Sequence, residues 1–206
     1  MSKQARLGIL LSGRGSNFLA IQQAIERGDL DARIVVVLSN RERAPGIAKA
    51  RELGIDAVVV GHRGKDRRSQ ELELEQILKS HRVDWVCLAG YMRLLSSAFI
   101  DEFRGRVLNI HPSLLPAFPG LNAQKQAWEY GVKVSGCTVH LVDAGMDSGP
   151  IVGQRIVEVD ESASAEHLSA RILAEEHLLY PVALKALIQR EWRIEGRRVV
   201  FLPSES

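Results

Sequence analysis

Short runs of Val, Ile and Leu recur through the first half of this 206-residue chain, each followed by a stretch whose apolar residues fall at helical spacing. That alternation constrains the fold more than any single motif. Leu7–Leu11, Ile34–Leu38, Ala57–Val60, Trp85–Ala89 and Val107–Ile110 are short and almost continuously apolar, which is how strands buried on both faces of a parallel sheet read. Between them, Asn17–Arg27, Gly46–Leu53, Arg68–Ser80 and Ser97–Phe103 carry helical periodicity, as in Leu74, Ile77 and Leu78. Strands alternating with helices build βαβ crossovers, so the expected class is α/β: a doubly wound, mostly parallel sheet flanked by helices. The second half changes style. Val134–Val142 alternates over a longer strand, Gln154–Val159 resembles it, Ser164–Arg190 is a long helical stretch interrupted by Pro181, and Val199–Leu202 reads as a closing strand. No internal repeat or low-complexity linker divides the chain, so one domain over 1–206 is expected.

The first candidate site follows the first strand. Ser12-Gly13-Arg14-Gly15-Ser16-Asn17 leads into an amphipathic helix, where backbone N–H groups and the helix dipole can hold a phosphate. No Gly-Lys-[Ser/Thr] follows, and Phe18 stands where a dinucleotide fingerprint needs its third glycine. A single phosphate therefore fits better than a dinucleotide, and a nicotinamide-dependent oxidoreductase is disfavoured. The plainer reading is a tight turn with Ser16 or Asn17 capping the helix.

The second is Asn109-Ile110-His111-Pro112-Ser113-Leu114-Leu115-Pro116. In a strand, residues i and i+2 face the same way, so Asn109 and His111 can address one small volume. Pro112 favours extended geometry at His111. The pair then sits at a strand's C-terminal end, where open α/β sheets bind ligands. The third is the loop from Asp143 to Pro150, which sets two acids among glycines. Asp147 can accept a hydrogen bond from His111 and favour the imidazolium, while Asn109 donates to the same reacting oxygen, making an oxyanion-stabilising set. Against this, Asp143 and Asp147 can simply shape turns through Asx hydrogen bonds. His140 fits the strand pattern and reads as structural. His111 and Asp147 lack a convincing third partner for zinc, so no metal is expected.

Composition narrows the partners. Lys and Arg total 27 against 25 Asp and Glu, a net charge of +2, with the two signs interleaved, so nucleic acid is not an expected partner. The most basic run, Arg63 to Arg68, reads as a solvated loop in which one arginine can serve an anionic small molecule. Cys87 and Cys137 lie in apolar runs without a C-x-x-C and read as buried thiols of a reducing compartment. The apolar run near the N-terminus, Leu7 to Leu11, is too short for a signal core or a membrane span, so no membrane association and a cytoplasmic protein are expected.

The glycine loop, Asn109-x-His111-Pro-Ser-Leu-Leu-Pro and Asp143-x-Gly-x-Asp147, in this order, resemble the folate-dependent formyltransferase superfamily nearly end to end. The resemblance implies a Rossmann-like formyltransferase domain, with residues 1–105 as a phosphate-binding half and 106–206 as a catalytic and folate-closing half. It implies that Asn109, His111 and Asp147 are catalytic, and that Gly15, Ser16 and Asn17 hold the substrate phosphate while Glu176 contacts the ribosyl group. It further implies that Met92, Arg93, Leu94 and Leu95 line the pterin pocket for 10-formyltetrahydrofolate, with Ala144 to Asp147 closing over it. Arg67 or Arg68 matches an arginine near the folate. The members it looks most like formylate the amine of glycinamide ribonucleotide in purine synthesis, using 10-formyltetrahydrofolate as cosubstrate and no metal, and a homodimer is compatible with them. Asn122-Ala123-Gln124 replaces the His-x-His of many relatives, so no role for histidines is expected there. Members that formylate methionyl-tRNA or hydrolyse the formyl group carry an additional domain, for which this chain is expected to be too short.

Overall fold

A computed structural model of the chain describes residues 4–61 and 64–203; residues 1–3, and Arg63 of the basic run, lie outside them. The chain divides into two compact units, residues 1–108 and 109–206.

The first unit contains β1 (Ala5–Leu11), α1 (Ser16–Glu26), β2 (Ala32–Ser39), α2 (Pro45–Glu52), β3 (Ala57–Val59), α3 (Arg67–Ser80), β4 (Trp85–Leu88) and α4 (Ser97–Glu102), and the start of β5 (Val107–His111). Its strand order is β3-β2-β1-β4, every pair parallel. The chain winds outward from β1 to β3, then returns to place β4 on the other side of β1. The topological switch therefore lies between β1 and β4, and ligands bind outside the strand ends at such a point. Leu7, Ile9, Leu10 and Leu11 of β1 are fully buried, as a central strand covered on both faces requires. The expected α/β class is borne out.

The second unit holds the end of β5, α5 (Ala123–Tyr130), β6 (Val134–Leu141), β7 (Ile151–Glu158), α6 (Ala165–Gln189), β8 (Trp192–Glu195) and β9 (Arg198–Phe201). Here β6 and β7 are antiparallel, β7 and β9 parallel, and β8 and β9 antiparallel. Two readings from sequence are corrected, and two elements are added. The expected alternation of 134–142 is absent from burial, because every residue from Ser135 to Leu141 is buried. Pro181 does not interrupt the helix: α6 runs unbroken through it. A proline inside a helix costs roughly 3 kcal/mol, and the burial of Tyr180, Leu184 and Leu187 around it offsets that cost. Finally, α5 and β8 carry no sequence assignment above. The buried residues of α5 are Ala123 and Ala127, too small to announce an apolar face. β8 pairs with β9 across a turn that contains Gly196 at φ +60°, and charged residues dilute its apolar content.

Candidate active site

The loop after β1 is built on Gly15. Its φ is +75°, and an added Cβ would lie 3.1 Å from the Cα of Gly46, so both conformation and space call for glycine. The Gly46 N–H donates to the Gly13 carbonyl at 3.1 Å, fixing the loop against the start of α2. The N-cap of α1 is Gly15 rather than Ser16 or Asn17, and that residue has no side chain to cap the helix. The physical reason is the left-handed turn at Gly15, which brings the chain into the helix with the Ser16 side chain already inside its first turn. A helix start without a side-chain cap presents backbone N–H groups and the positive dipole end to an anion.

Ser12, buried at the end of β1, joins three loops. Its hydroxyl donates to Asn40 Oδ1 (2.6 Å) beyond β2 and accepts from the Met92 N–H (2.8 Å) beyond β4. Its own N–H donates to the Gly90 carbonyl at 3.1 Å. The segment Met92-Arg93-Leu94-Leu95 is thus pinned beside the glycine loop at the switch point. Met92 and Leu94 are 55% and 59% exposed, whereas Leu95 turns into the core. On α3, Arg67 pairs through Nε with Glu71 (3.2 Å) and Arg68 with Glu75 (2.7 Å), and both carboxylates are buried.

The polar cluster of the second unit forms where β5 ends beside β6. His111 is buried; its Nε2 lies 2.8 Å from the Phe118 carbonyl and its Nδ1 3.4 Å from Asp147 Oδ2. A carbonyl only accepts, so Nε2 carries a proton, and Nδ1 is the nitrogen left facing the carboxylate. Only the imidazolium has an N–H on both nitrogens. Phe118 takes φ +51° to aim its carbonyl, and its ring packs edge-on against Tyr130 of α5 with centroids 5.7 Å apart. Ser113 Oγ donates to the Ala117 carbonyl at 2.5 Å, bracing the same bend. Thr138 of β6 donates to the Ser113 carbonyl (2.7 Å) and accepts from the Leu115 N–H (3.0 Å), so β6 holds both ends of the segment after His111.

The two acids of the 143–150 loop separate into different roles. Asp143 accepts from the Gly145 N–H (3.1 Å) and Ser148 Oγ (2.7 Å), an Asx-type turn. Asp147 instead reaches out of the loop: Oδ2 accepts from the Gly120 N–H at 2.8 Å, and its backbone sits at φ +50°. Gly149 closes the loop so tightly that an added Cβ would stand 1.8 Å from the Leu141 carbonyl oxygen.

His140, read from sequence as structural, belongs to this cluster. It is 2% exposed, and Nδ1 lies 2.9 Å from the Leu141 carbonyl, which fixes the proton on that nitrogen. Nε2 then accepts from Asn109 Nδ2 at 3.2 Å, with Asp147 Oδ1 3.8 Å away. Burial holds the His140 pKa below its ordinary value, against the raising effects of the Leu141 hydrogen bond and Asp147. The signal for it was the i, i+2 pair Thr138 and His140 on β6, the neighbour of β5 with its own pair Asn109 and His111.

The remaining candidates of the second unit are Glu176 and Ala144. Glu176 is buried on α6, where its charge, second to burial itself, helps push the Cys137 thiol up to about 12. Ala144 is exposed on the loop that carries Asp147. Both cysteines are buried. Among the described residues no group of three or more His, Cys, Asp or Glu side chains is arranged to hold a metal ion, and no helix is long and apolar enough to cross a membrane.

Residues 5–184 match the model of the formyl transferase family. The chain is 38% identical over 185 residues to phosphoribosylglycinamide formyltransferase of Bacillus subtilis, covering 89% of this chain and 94% of that protein. It is 44% identical over 191 residues to the trifunctional purine biosynthetic protein adenosine-3 of Drosophila melanogaster, covering 90% of this chain and only 14% of that much longer protein. Among solved structures, glycinamide ribonucleotide transformylase 1 from Symbiobacterium toebii superimposes with a TM-score of 0.95 at 47% identity, covering 98% of this chain and 96% of that one.

Proposed function

The chain belongs to the formyl transferase family, and we propose that it transfers the formyl group of 10-formyltetrahydrofolate to the amine of glycinamide ribonucleotide, in purine synthesis. The observation that carries the reading is the cluster of Asn109, His111 and Asp147, in which an amide donor, an imidazole with both nitrogens facing acceptors, and a carboxylate meet within hydrogen-bond or ion-pair reach of their partners. The amine attacks the formyl carbon, a C–N bond forms, and the carbonyl oxygen becomes an oxyanion. Asn109 Nδ2 keeps one N–H on His140 and offers the other to that oxygen. His111 shares its Nδ1–H between Asp147, 3.4 Å away, and that oxygen, since Nε2–H is committed to Phe118. Loss of one such donor typically costs on the order of a hundredfold in rate. Asp147 stabilises the imidazolium and, through a water, passes the proton from the attacking nitrogen to the leaving folate nitrogen as the second C–N bond breaks.

In this reading Gly15, Ser16 and Asn17 hold the substrate phosphate and Glu176 its ribose. Arg67, Met92, Arg93, Leu94, Leu95 and Ala144 receive the folate, with exposed Met92 and Leu94 offering apolar surface to its ring. Residues 1–105 then serve as the phosphate-binding half and 106–206 as the catalytic and folate-closing half of one formyltransferase domain. The protein works in the cytoplasm on small molecules, and a homodimer is the assembly to test by light scattering. The functional test follows tetrahydrofolate release spectrophotometrically with and without glycinamide ribonucleotide. Release that requires the acceptor is expected; release without it would point to a deformylase, and tight binding of both ligands without release to a binding module.

A further inference from the structure

One buried carboxylate of the first unit grips two separate pieces of the surface proposed for folate. Glu71, on α3, is 3% exposed. Its Oε1 accepts from the Ser96 N–H at 2.7 Å and from Arg67 Nε at 3.2 Å, and its Oε2 accepts from Ser96 Oγ. Ser96 directly follows Leu95 and is the N-cap of α4, where its hydroxyl also accepts from the Phe99 N–H. The Met92–Leu95 strap is therefore held at its start by Ser12 and at its end by Glu71. A cap alone does not call for this: Ser96 already caps α4 with its own side chain, and a buried carboxylate is costly unless charge and hydrogen bonds compensate it. The compensating charge comes from Arg67, one helical turn away, whose side chain is 48% exposed. A guanidinium bound through Nε can still offer its two terminal amino groups to a carboxylate.

We propose that Glu71 is a positioning residue for the cosubstrate, holding Arg67 and the Met92–Leu95 strap in one fixed relation so that guanidinium and apolar strap engage the same folate molecule. This rests on the folate reading of those residues given above. E71Q can still accept from Ser96 but loses the charge that fixes Arg67. The expected result is a KM for 10-formyltetrahydrofolate raised about tenfold, with kcat and the KM for glycinamide ribonucleotide within twofold of the unsubstituted protein. With a folate analogue lacking the glutamate carboxylates, the two proteins should have the same KM. In an Arg67→Ala background, E71Q should add nothing.

An unchanged folate KM in folded E71Q, or an equal rise in both KM values, overturns the proposal. A folate KM unmoved by Arg67→Ala instead sinks the folate reading of this surface. Should E71Q not fold, the exposed substitution Arg67→Lys carries the test. A lysine ammonium held at Glu71 is a single point charge without the paired fork of the guanidinium, so its folate KM should rise toward that of Arg67→Ala; a KM like that of the unsubstituted protein overturns the proposal.

Discussion

Asn109 Nδ2 donates to His140 Nε2 across 3.2 Å, and the direction of that bond is set one atom further on, where His140 Nδ1 is 2.9 Å from the Leu141 carbonyl. Because a backbone carbonyl cannot donate, the imidazole must carry its proton on Nδ1. Its other nitrogen is then a lone pair that accepts the amide's N–H and repels its oxygen. The orientation of Asn109 is thus decided by a main-chain atom of β6, with Nδ2 turned to His140.

Asn109→Ala should lower kcat on the order of a hundredfold while leaving both KM values within a few-fold. Steady-state kinetics checks this, and a large KM effect with unchanged kcat would assign Asn109 to binding instead.

Burial holds His140 below the ordinary histidine value in the folded chain, whereas the unfolded chain titrates near 6.5. As pH falls through about 6.5 the unfolded state takes up the proton first, so this group favours unfolding increasingly toward acid, by at most about 1.4 kcal/mol per pH unit. His140→Asn keeps a donor for the Leu141 carbonyl and removes the titration. Melting temperatures at pH 8 and pH 5 should therefore fall less in this variant than in the unsubstituted protein. The slope will not vanish, because burial lowers His177 as well. Equal slopes would mean that His140 is already charged in the folded state.

The first unit was largely legible, since its strands are buried on both faces and announce themselves as apolar runs. Within the candidate site, Asn109 and His111 were legible because each is polar where the pattern around it is apolar. What the sequence left open was decided by long-range hydrogen bonds. Asp143 and Asp147 are indistinguishable by type and spacing, and only the Gly120 N–H, 2.8 Å from Asp147, separates them. His140, Ser12 and Glu71 sit in segments whose periodicity accounts for them as core, and their partners lie 31, 80 and 25 residues away. The helical pattern over 164–190 concealed the tolerance for Pro181, which depends on how deeply Tyr180 and Leu184 are packed.

Gly15→Ala should damage both stability and phosphate binding. A non-glycine residue at φ +75° costs roughly 1–2 kcal/mol, and the added Cβ presses on the Gly46 backbone at 3.1 Å. The expected outcome is a melting temperature several degrees lower and a raised KM for glycinamide ribonucleotide, with the folate KM much less affected. A raised folate KM alone would count against the loop as the phosphate site.

The Cys137 thiol is fully buried and pushed up to about 12, first by burial and then by Glu176. The thiolate is the reactive form, so Cys137 should resist Ellman's reagent at pH 8 in the folded protein and react on unfolding. Rapid labelling of native Cys137, located by peptide mass, would show that β6 opens readily.

Asp147→Asn separates charge from shape. Asp147 sits at φ +50°, a conformation asparagine also tolerates, and an amide oxygen can still accept from the Gly120 N–H, so the loop should keep its geometry and the melting temperature should change little. What disappears is the negative charge 3.4 Å from His111 Nδ1. The imidazole then loses its charged partner. The expected result is a kcat reduced by a hundredfold or more, about what loss of a positioned proton-transfer group removes, with both KM values within a few-fold. An unaltered rate would remove it from the catalytic set.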